Sequence, residues 1–194
     1  MAGTEQAGGA ATAATGRTVW AIDPAHSLVE LSAKHMMITT VKGRFGGISG
    51  SIYTDEQHPD RSGVEVEIAA DTIDTRAPDR DTHLKSADFL DVERFPTISF
   101  KSTRVEGAYA EPGDKFRVTG DLTIHGTTRP VTLDVAYEGR GKDPWGGERA
   151  SFSATTKIDR RDFGLRWNQA LETGGILVSN EIRISLEVQA TKQG

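Results

Sequence analysis

The chain has 194 residues, 36% apolar and 26% charged, and Asp plus Glu outnumber Lys plus Arg by 28 to 23 for a formal net charge of −5. These proportions suit a globular chain rather than a disordered or membrane-embedded one, and the lack of any basic run argues against a nucleic-acid partner. Cysteine is absent, which excludes disulfides, thiolate metal sites and cysteine nucleophiles.

Residues 1–16 are mostly Ala, Gly and Thr and read as a flexible tail, leaving a single domain over 17–194. They show neither the basic start nor the apolar run of a signal peptide, and no stretch reaches the ~20 apolar residues of a membrane span, so a cytoplasmic protein is expected.

The dominant signal beyond the tail is a period of two. Strands are expected at Thr18–Ile22, Leu28–Lys34 and Arg44–Tyr53, with an irregular piece from His35 to Val41. The strand from Arg44 carries Gly43, Gly46, Gly47 and Gly50 in or beside it, and glycines inside a strand signal bulges that let a sheet curl. In Val64-Glu65-Val66-Glu67-Ile68 the apolar side chains share one face and the carboxylates the other. Residues 78–86 break the alternation. Pro78 suits a first helical position and Asp79 and Asp81 oppose the dipole of a first turn, so a short helix is expected there.

Alternation resumes at Ile98-Ser99-Phe100-Lys101 and continues through Phe116–Ile124, Val131–Tyr137, Phe152–Thr155 and Ile182–Val188. Turn signals such as Glu111-Pro112-Gly113-Asp114 and Asp143-Pro144-Trp145-Gly146-Gly147 separate these runs. About eight half-buried antiparallel strands must hide their apolar faces, in a closed barrel or a two-sheet sandwich. The Gly-rich strand and the long meander after Ile98 favour an all-β antiparallel barrel.

The inward faces mix large residues (Phe100, Phe116, Tyr137, Phe152) with small ones (Ala33, Ser102, Gly120, Ala154, Thr156). Such a mixture serves a packed, tapering core as well as a hollow one, so composition leaves both open. The histidines His26, His35, His58, His83 and His125 include no pair at metal-ligand spacing. No nucleophile elbow, P-loop or dinucleotide fingerprint occurs either, and no catalytic residue, metal or cofactor is expected.

The order of motifs carries further information. Trp20-Ala21-Ile22-Asp23-Pro24-Ala25-His26-Ser27 is followed by Lys34-His35-Met36-Met37 and Val41-Lys42-Gly43-Arg44-Phe45. Then come Ile73-Asp74-Thr75-Arg76, Arg80-Asp81-Thr82-His83-Leu84, Asp88-Phe89-Leu90-Asp91 and Pro96-Thr97-Ile98-Ser99-Phe100. Gly120-Asp121-Leu122-Thr123-Ile124-His125-Gly126, Arg129-Pro130-Val131 and Arg161-Asp162-Phe163-Gly164 complete the series. From about Trp20 to Ala190 the chain resembles the YceI-like, polyisoprenoid-binding family.

That resemblance implies a lipocalin-like barrel with a long apolar lumen. It also implies a bound isoprenoid chain, such as a polyprenyl diphosphate or prenylated quinone, and no enzymatic activity. Its lumen would be lined from the early strands by Val29, Leu31, Ala33, His35 and Phe45. The middle strands would add Val66, Ile68, Phe100, Phe116, Val118 and Leu133, and the last strands Phe152, Ile184 and Leu186. A polar head would need donors at the mouth, and Arg76, Arg80, His83 and Lys85 around the helix, with Arg166 after Phe163-Gly164, are the candidates. Trp145 and Trp167 stand near loops and are candidates either to line the mouth or to plug a barrel end. Two rival readings stand beside this one: an enzyme acting on a lumen-bound amphiphile with His35 or His83 as base, and a packed structural barrel. Barrels of this type pair through a strand edge or face, which leaves a homodimer open.

Overall fold

Strict alternation in nearly every strand-forming segment leaves each strand with one apolar face, and the chain buries these faces by rolling into a closed antiparallel sheet. A computed structural model describes residues 16–194; the expected tail lies, apart from Gly16, outside the described residues. The strands are β1 Thr18–Ile22, β2 Leu28–His35, β3 Thr39–Phe45, β4 Ile48–Thr54 and β5 Gly63–Ala69. After helix α1, Pro78–Lys85, come β6 Thr97–Glu106, β7 Lys115–Ile124, β8 Thr127–Lys142, β9 Glu148–Asp159 and β10 Glu181–Lys192.

The sheet runs β1-β4-β5-β6-β7-β8-β9-β10, and β1 closes it by pairing β10 through Trp20↔Lys192 and Ile22↔Ala190. β2 and β3 extend the wall beyond β1 and β4: β2 pairs the other half of β10 (Leu31↔Ile184), and β3 pairs β2 (Ala33↔Val41). Closure leaves no open edge in the barrel proper. Outward positions of β10 are Glu181, Arg183, Ser185 and Glu187, and its inward positions are Ile182, Ile184, Leu186 and Val188. This is the reverse of a membrane-spanning barrel, whose apolar band faces outward. No helix among the described residues is long and apolar enough to cross a membrane.

Two expectations need correction. The irregular piece from His35 to Val41 shrinks to a turn at residues 36–38, because His35 and Thr39 already pair. The single strand expected from Arg44 to Tyr53 is broken at Gly46-Gly47, where both amide N–H groups donate to Thr72 Oγ1 at 3.3 and 3.2 Å. Gly50 serves a different need. Its φ is +146°, and a side-chain carbon there would lie 2.1 Å from the Glu65 carbonyl oxygen, so only glycine lets β4 press this closely on β5.

One end of the barrel is shut by a floor of rings. Tyr109 packs on Phe116 (4.8 Å between ring centroids), Tyr137 (5.9 Å) and Phe152 (6.2 Å). Its hydroxyl meets Ser62 Oγ at 2.7 Å, and burial pushes that phenol above its ordinary pKa. Trp20, 2% exposed, donates Nε1–H to Thr54 Oγ1 at 2.8 Å. The tips of Tyr109 and Trp20 are thus paired, and no fully buried side-chain nitrogen or oxygen among the described residues lacks a partner.

The outer edge of this end is clamped by Asp23, which accepts from Arg149 NH1 at 2.7 Å, lies 2.8 Å from His26 Nδ1 and takes the Ala25 N–H. Arg149 also donates Nε–H to Asp143, at 3.0 Å. Hydrogen bonding to His26 and then to Arg149 holds the Asp23 carboxyl at about 2 instead of 3.8. A folded pKa below the unfolded one gives stability that is fully present above about pH 4 and is lost as pH falls toward 2. Asp23→Asn is therefore expected to lower the melting temperature at pH 7 and to flatten the melting-temperature slope between pH 4 and 2, as read by calorimetry.

Candidate functional site

The barrel interior is not filled. Inward side chains at mid-height, such as Leu31, Val66, Leu133 and Ile184, are only half-buried, although their strands are fully paired on both sides. They surround a cavity of about 660 Å³, within the roughly 300–1,000 Å³ typical of small-molecule sites. All fourteen residues expected at the lumen line it, from Val29, Leu31, Ala33, His35 and Phe45 to Phe152, Ile184 and Leu186. Ile73, Val131 and Ile158 line it as well, as does the ring floor through Tyr109 and Phe116.

The cavity reaches solvent at the end opposite the floor. Of its lining residues, Lys34, Asp79 and Arg80 alone are exposed, and all three stand at this end. Three pieces build the mouth: the β2–β3 turn, helix α1 and the loop over residues 164–180. Helix α1 is anchored by Asp81, whose Oδ1 accepts from the Thr75 N–H at 2.9 Å. Arg80 donates Nε–H to Thr75 Oγ1 at 2.8 Å and a terminal N–H to Thr75 O at 2.9 Å, leaving NH1 without a partner among the described residues. His83 faces the cavity with Nε2 2.9 Å from Asp88 Oδ2. Its ring stands edge-on to Trp167 at 4.7 Å and to Phe89 at 5.0 Å.

The loop is held down from within by Arg160, 3% exposed. Its guanidinium donates to Ser179 O (3.0 Å), Leu165 O (2.7 Å) and Trp167 O (2.8 Å), with longer contacts to Val178 O and Asn180 Oδ1. It forms no ion pair among the described residues, because the adjacent Asp159 is taken by Arg161 at 2.6 Å. Burial pulls its pKa below the ordinary value, yet a guanidinium stays charged throughout the accessible pH range. A positive charge thus sits in the lumen wall just below the mouth.

The expected head-group donors divide. Arg80 and His83 line the cavity; Arg76, Lys85 and Arg166 do not. Arg76 lies in the turn before α1 with φ +60°, its N–H held by Asp74 Oδ1, and its side chain is exposed. Arg166 stands in the loop between Leu165 and Trp167, which line the lumen, and is itself exposed. Lys85 falls on the last turn of α1, away from the cavity. Trp167 lines the mouth, but Trp145 is 87% exposed in the β8–β9 turn at the floor end. Among the described residues, no three His, Asp or Glu side chains gather as a metal site.

A closed eight-stranded antiparallel barrel with a blind apolar lumen and one mouth defines the lipocalin-like architecture. Within that class the chain belongs to the YceI-like family, whose domain matches residues 20–190. It is 37% identical to a UPF0312 protein of Pseudomonas aeruginosa, over 87% of this chain and 83% of that one. The Campylobacter jejuni YCEI protein is 30% identical and superposes with a TM-score of 0.69, over 83% of this chain and 90% of that structure. Burkholderia cenocepacia BcnA gives a TM-score of 0.75 at 24% identity, over 88% and 99% of the two chains. A polyisoprenoid binding domain from Saccharophagus degradans implicated in plant cell wall breakdown shares the fold, with a TM-score of 0.67 at 11% identity over 90% and 98%.

Proposed function

We propose that this chain binds and carries an amphiphilic lipid in its lumen without transforming it. The lipid has a long apolar tail, of the polyisoprenoid, prenylated-quinone or fatty-acid type. The observation that carries this is the unfilled lumen: half-buried Leu, Val and Ile side chains around about 660 Å³ of space. Each methylene placed there is worth about 0.8 kcal/mol, so a tail binds by burial alone. Of the fourteen lumen residues, thirteen are tail contacts in this proposal, and His35 stands at the mouth.

The head group rests at the mouth against Arg80 NH1, His83 and His35, whose ring makes no protein hydrogen bond among the described residues. The buried Arg160 charge favours a phosphate, carboxylate or quinone oxygen there. The Saccharophagus domain, described as polyisoprenoid binding, supports the capacity of this fold for such a chain. His83 with Asp88 is a histidine–carboxylate pair on the cavity that would suit a general base; here it orients a head-group contact instead.

The test is to denature purified protein and analyse its organic extract by mass spectrometry. The expected result is a near-stoichiometric long-tailed amphiphile, recovered unaltered after incubation. An empty extract, together with no uptake of added prenyl diphosphate or fatty acid, would overturn the proposal.

A further inference from the structure

The β2–β3 turn breaks two rules of a water-facing hairpin. Its residues are Met36, Met37 and Ile38, with exposures of 42%, 61% and 77%. Met36 and Met37 also adopt φ of +52° and +60°, the left-handed region that favours Gly and Asn over a bulky side chain. An Asn-Gly turn would fit the same backbone without strain and without apolar exposure. None of the three belongs to the buried apolar clusters of the barrel.

The turn is part of the mouth. The Met36 N–H donates to Leu177 O at 2.8 Å, and His35 pairs with Val178; Leu177, Val178 and His35 all line the cavity. An apolar surface therefore runs from the turn over the rim into the lumen. Lys34 sits at its base, exposed and without an ion pair among the described residues, whereas Lys42 and Arg44 on β3 are each paired, to Glu30 at 2.8 Å and to Asp74 at 3.1 Å. Three side chains on a protruding turn offer far less than the roughly 800 Å² per partner of a stable protein interface. A lipid bilayer needs no matching surface: it accepts a few apolar side chains among its acyl chains and attracts flanking cations to anionic head groups.

We propose that the Met36–Ile38 turn is a peripheral membrane contact that seats the barrel mouth on an anionic lipid surface, so that a tail passes between bilayer and lumen without crossing water. The passage rests on the lumen reading above; the surface contact stands without it.

Flotation with vesicles of 3:1 phosphatidylcholine and phosphatidylglycerol compares the native chain with the double variant Met37→Asn, Ile38→Gln. Asn is at ease in left-handed backbone, so this variant is expected to fold, and an unchanged melting temperature checks it. The expected result is at least a fivefold drop in vesicle partition for the variant, and a similar drop for the native chain on pure phosphatidylcholine. Uptake of a water-soluble short-chain fluorescent prenyl analogue, measured without vesicles, should be the same for both chains, while transfer of a long-chain analogue out of vesicles slows in the variant. Equal partition of both chains would overturn the contact. So would self-association of the native chain that the variant lacks, in sedimentation velocity, with no vesicle binding. A partition difference without uptake of any analogue would support the contact and overturn the passage.

Discussion

Replacing Ala33 with tryptophan is expected to abolish binding of a long-tailed amphiphile while leaving the barrel folded. Ala33 faces the lumen from β2 beside Val41 and two residues from His35, in the upper half of the cavity. In a packed core an indole at this position would force neighbours off their rotamers and destabilise the fold. Here the ring enters space that is already vacant, so thermal stability should hold or rise. The tail then loses the room the ring occupies. Excluding about four methylenes at about 0.8 kcal/mol each costs roughly 3 kcal/mol, or more than a hundredfold in affinity. Titration calorimetry against a prenyl diphosphate reads the affinity, and a melting curve on the same sample reads the fold. Unchanged affinity would mean that the tail does not enter the barrel.

Arg160→Met is expected to be the most damaging single change at the mouth. The methionine keeps much of the side-chain volume but removes every donor to the carbonyls of Leu165, Trp167 and Ser179. Those oxygens are drawn inward by the guanidinium, and leaving several of them unpaired costs about 3–5 kcal/mol. For a chain of this size that is a fall of roughly 6–20 °C in melting temperature. Hydrogen exchange should show the loss first in residues 164–180, since Asn168 and the links of Leu177, Val178 and Ser179 to the end of β2 would then be what holds the loop. Arg160→Lys should recover only part of the stability, because an ammonium cannot reach carbonyls spread across the plane of a guanidinium.

Much of the barrel was legible because alternation is a direct consequence of having one wet and one dry face. Val64–Ile68 and Ile182–Val188 could be assigned to strands and their inward residues named from the period alone, and Pro78 with Asp79 and Asp81 marked α1. The hollow was not legible. Leu133 on a packed wall and Leu133 on an empty one have the same neighbours in sequence, and only the closure geometry decides how much space their side chains leave. The family resemblance, not the period, carried the expectation of a lumen.

The mouth was the least legible part, for a physical reason in each case. Asp159-Arg160-Arg161-Asp162 reads as a solvated charge run, yet a turn of 3₁₀ helix over Arg160–Phe163 points one arginine inward and the other out. Arg76 and Arg166 look like Arg80 in sequence; Arg76 sits in a left-handed turn and Arg166 in a loop between two lumen-lining neighbours, and neither reaches the cavity. Gly46-Gly47 was read as a bulge but acts as a break, because Thr72, twenty-five residues from Gly47, offers its hydroxyl to both amides. Contacts this distant leave no local trace.

Photocrosslinking with a prenyl diphosphate that carries a diazirine on its terminal isoprene tests the lumen most directly. After irradiation and digestion, the adducts should fall on the ring floor, at Tyr109, Phe116 and Phe152, and vanish when unlabelled ligand is in excess. Adducts scattered over outward positions such as Arg183 and Glu187, insensitive to competitor, would show that hydrocarbon stays outside and that the cavity is not a binding site.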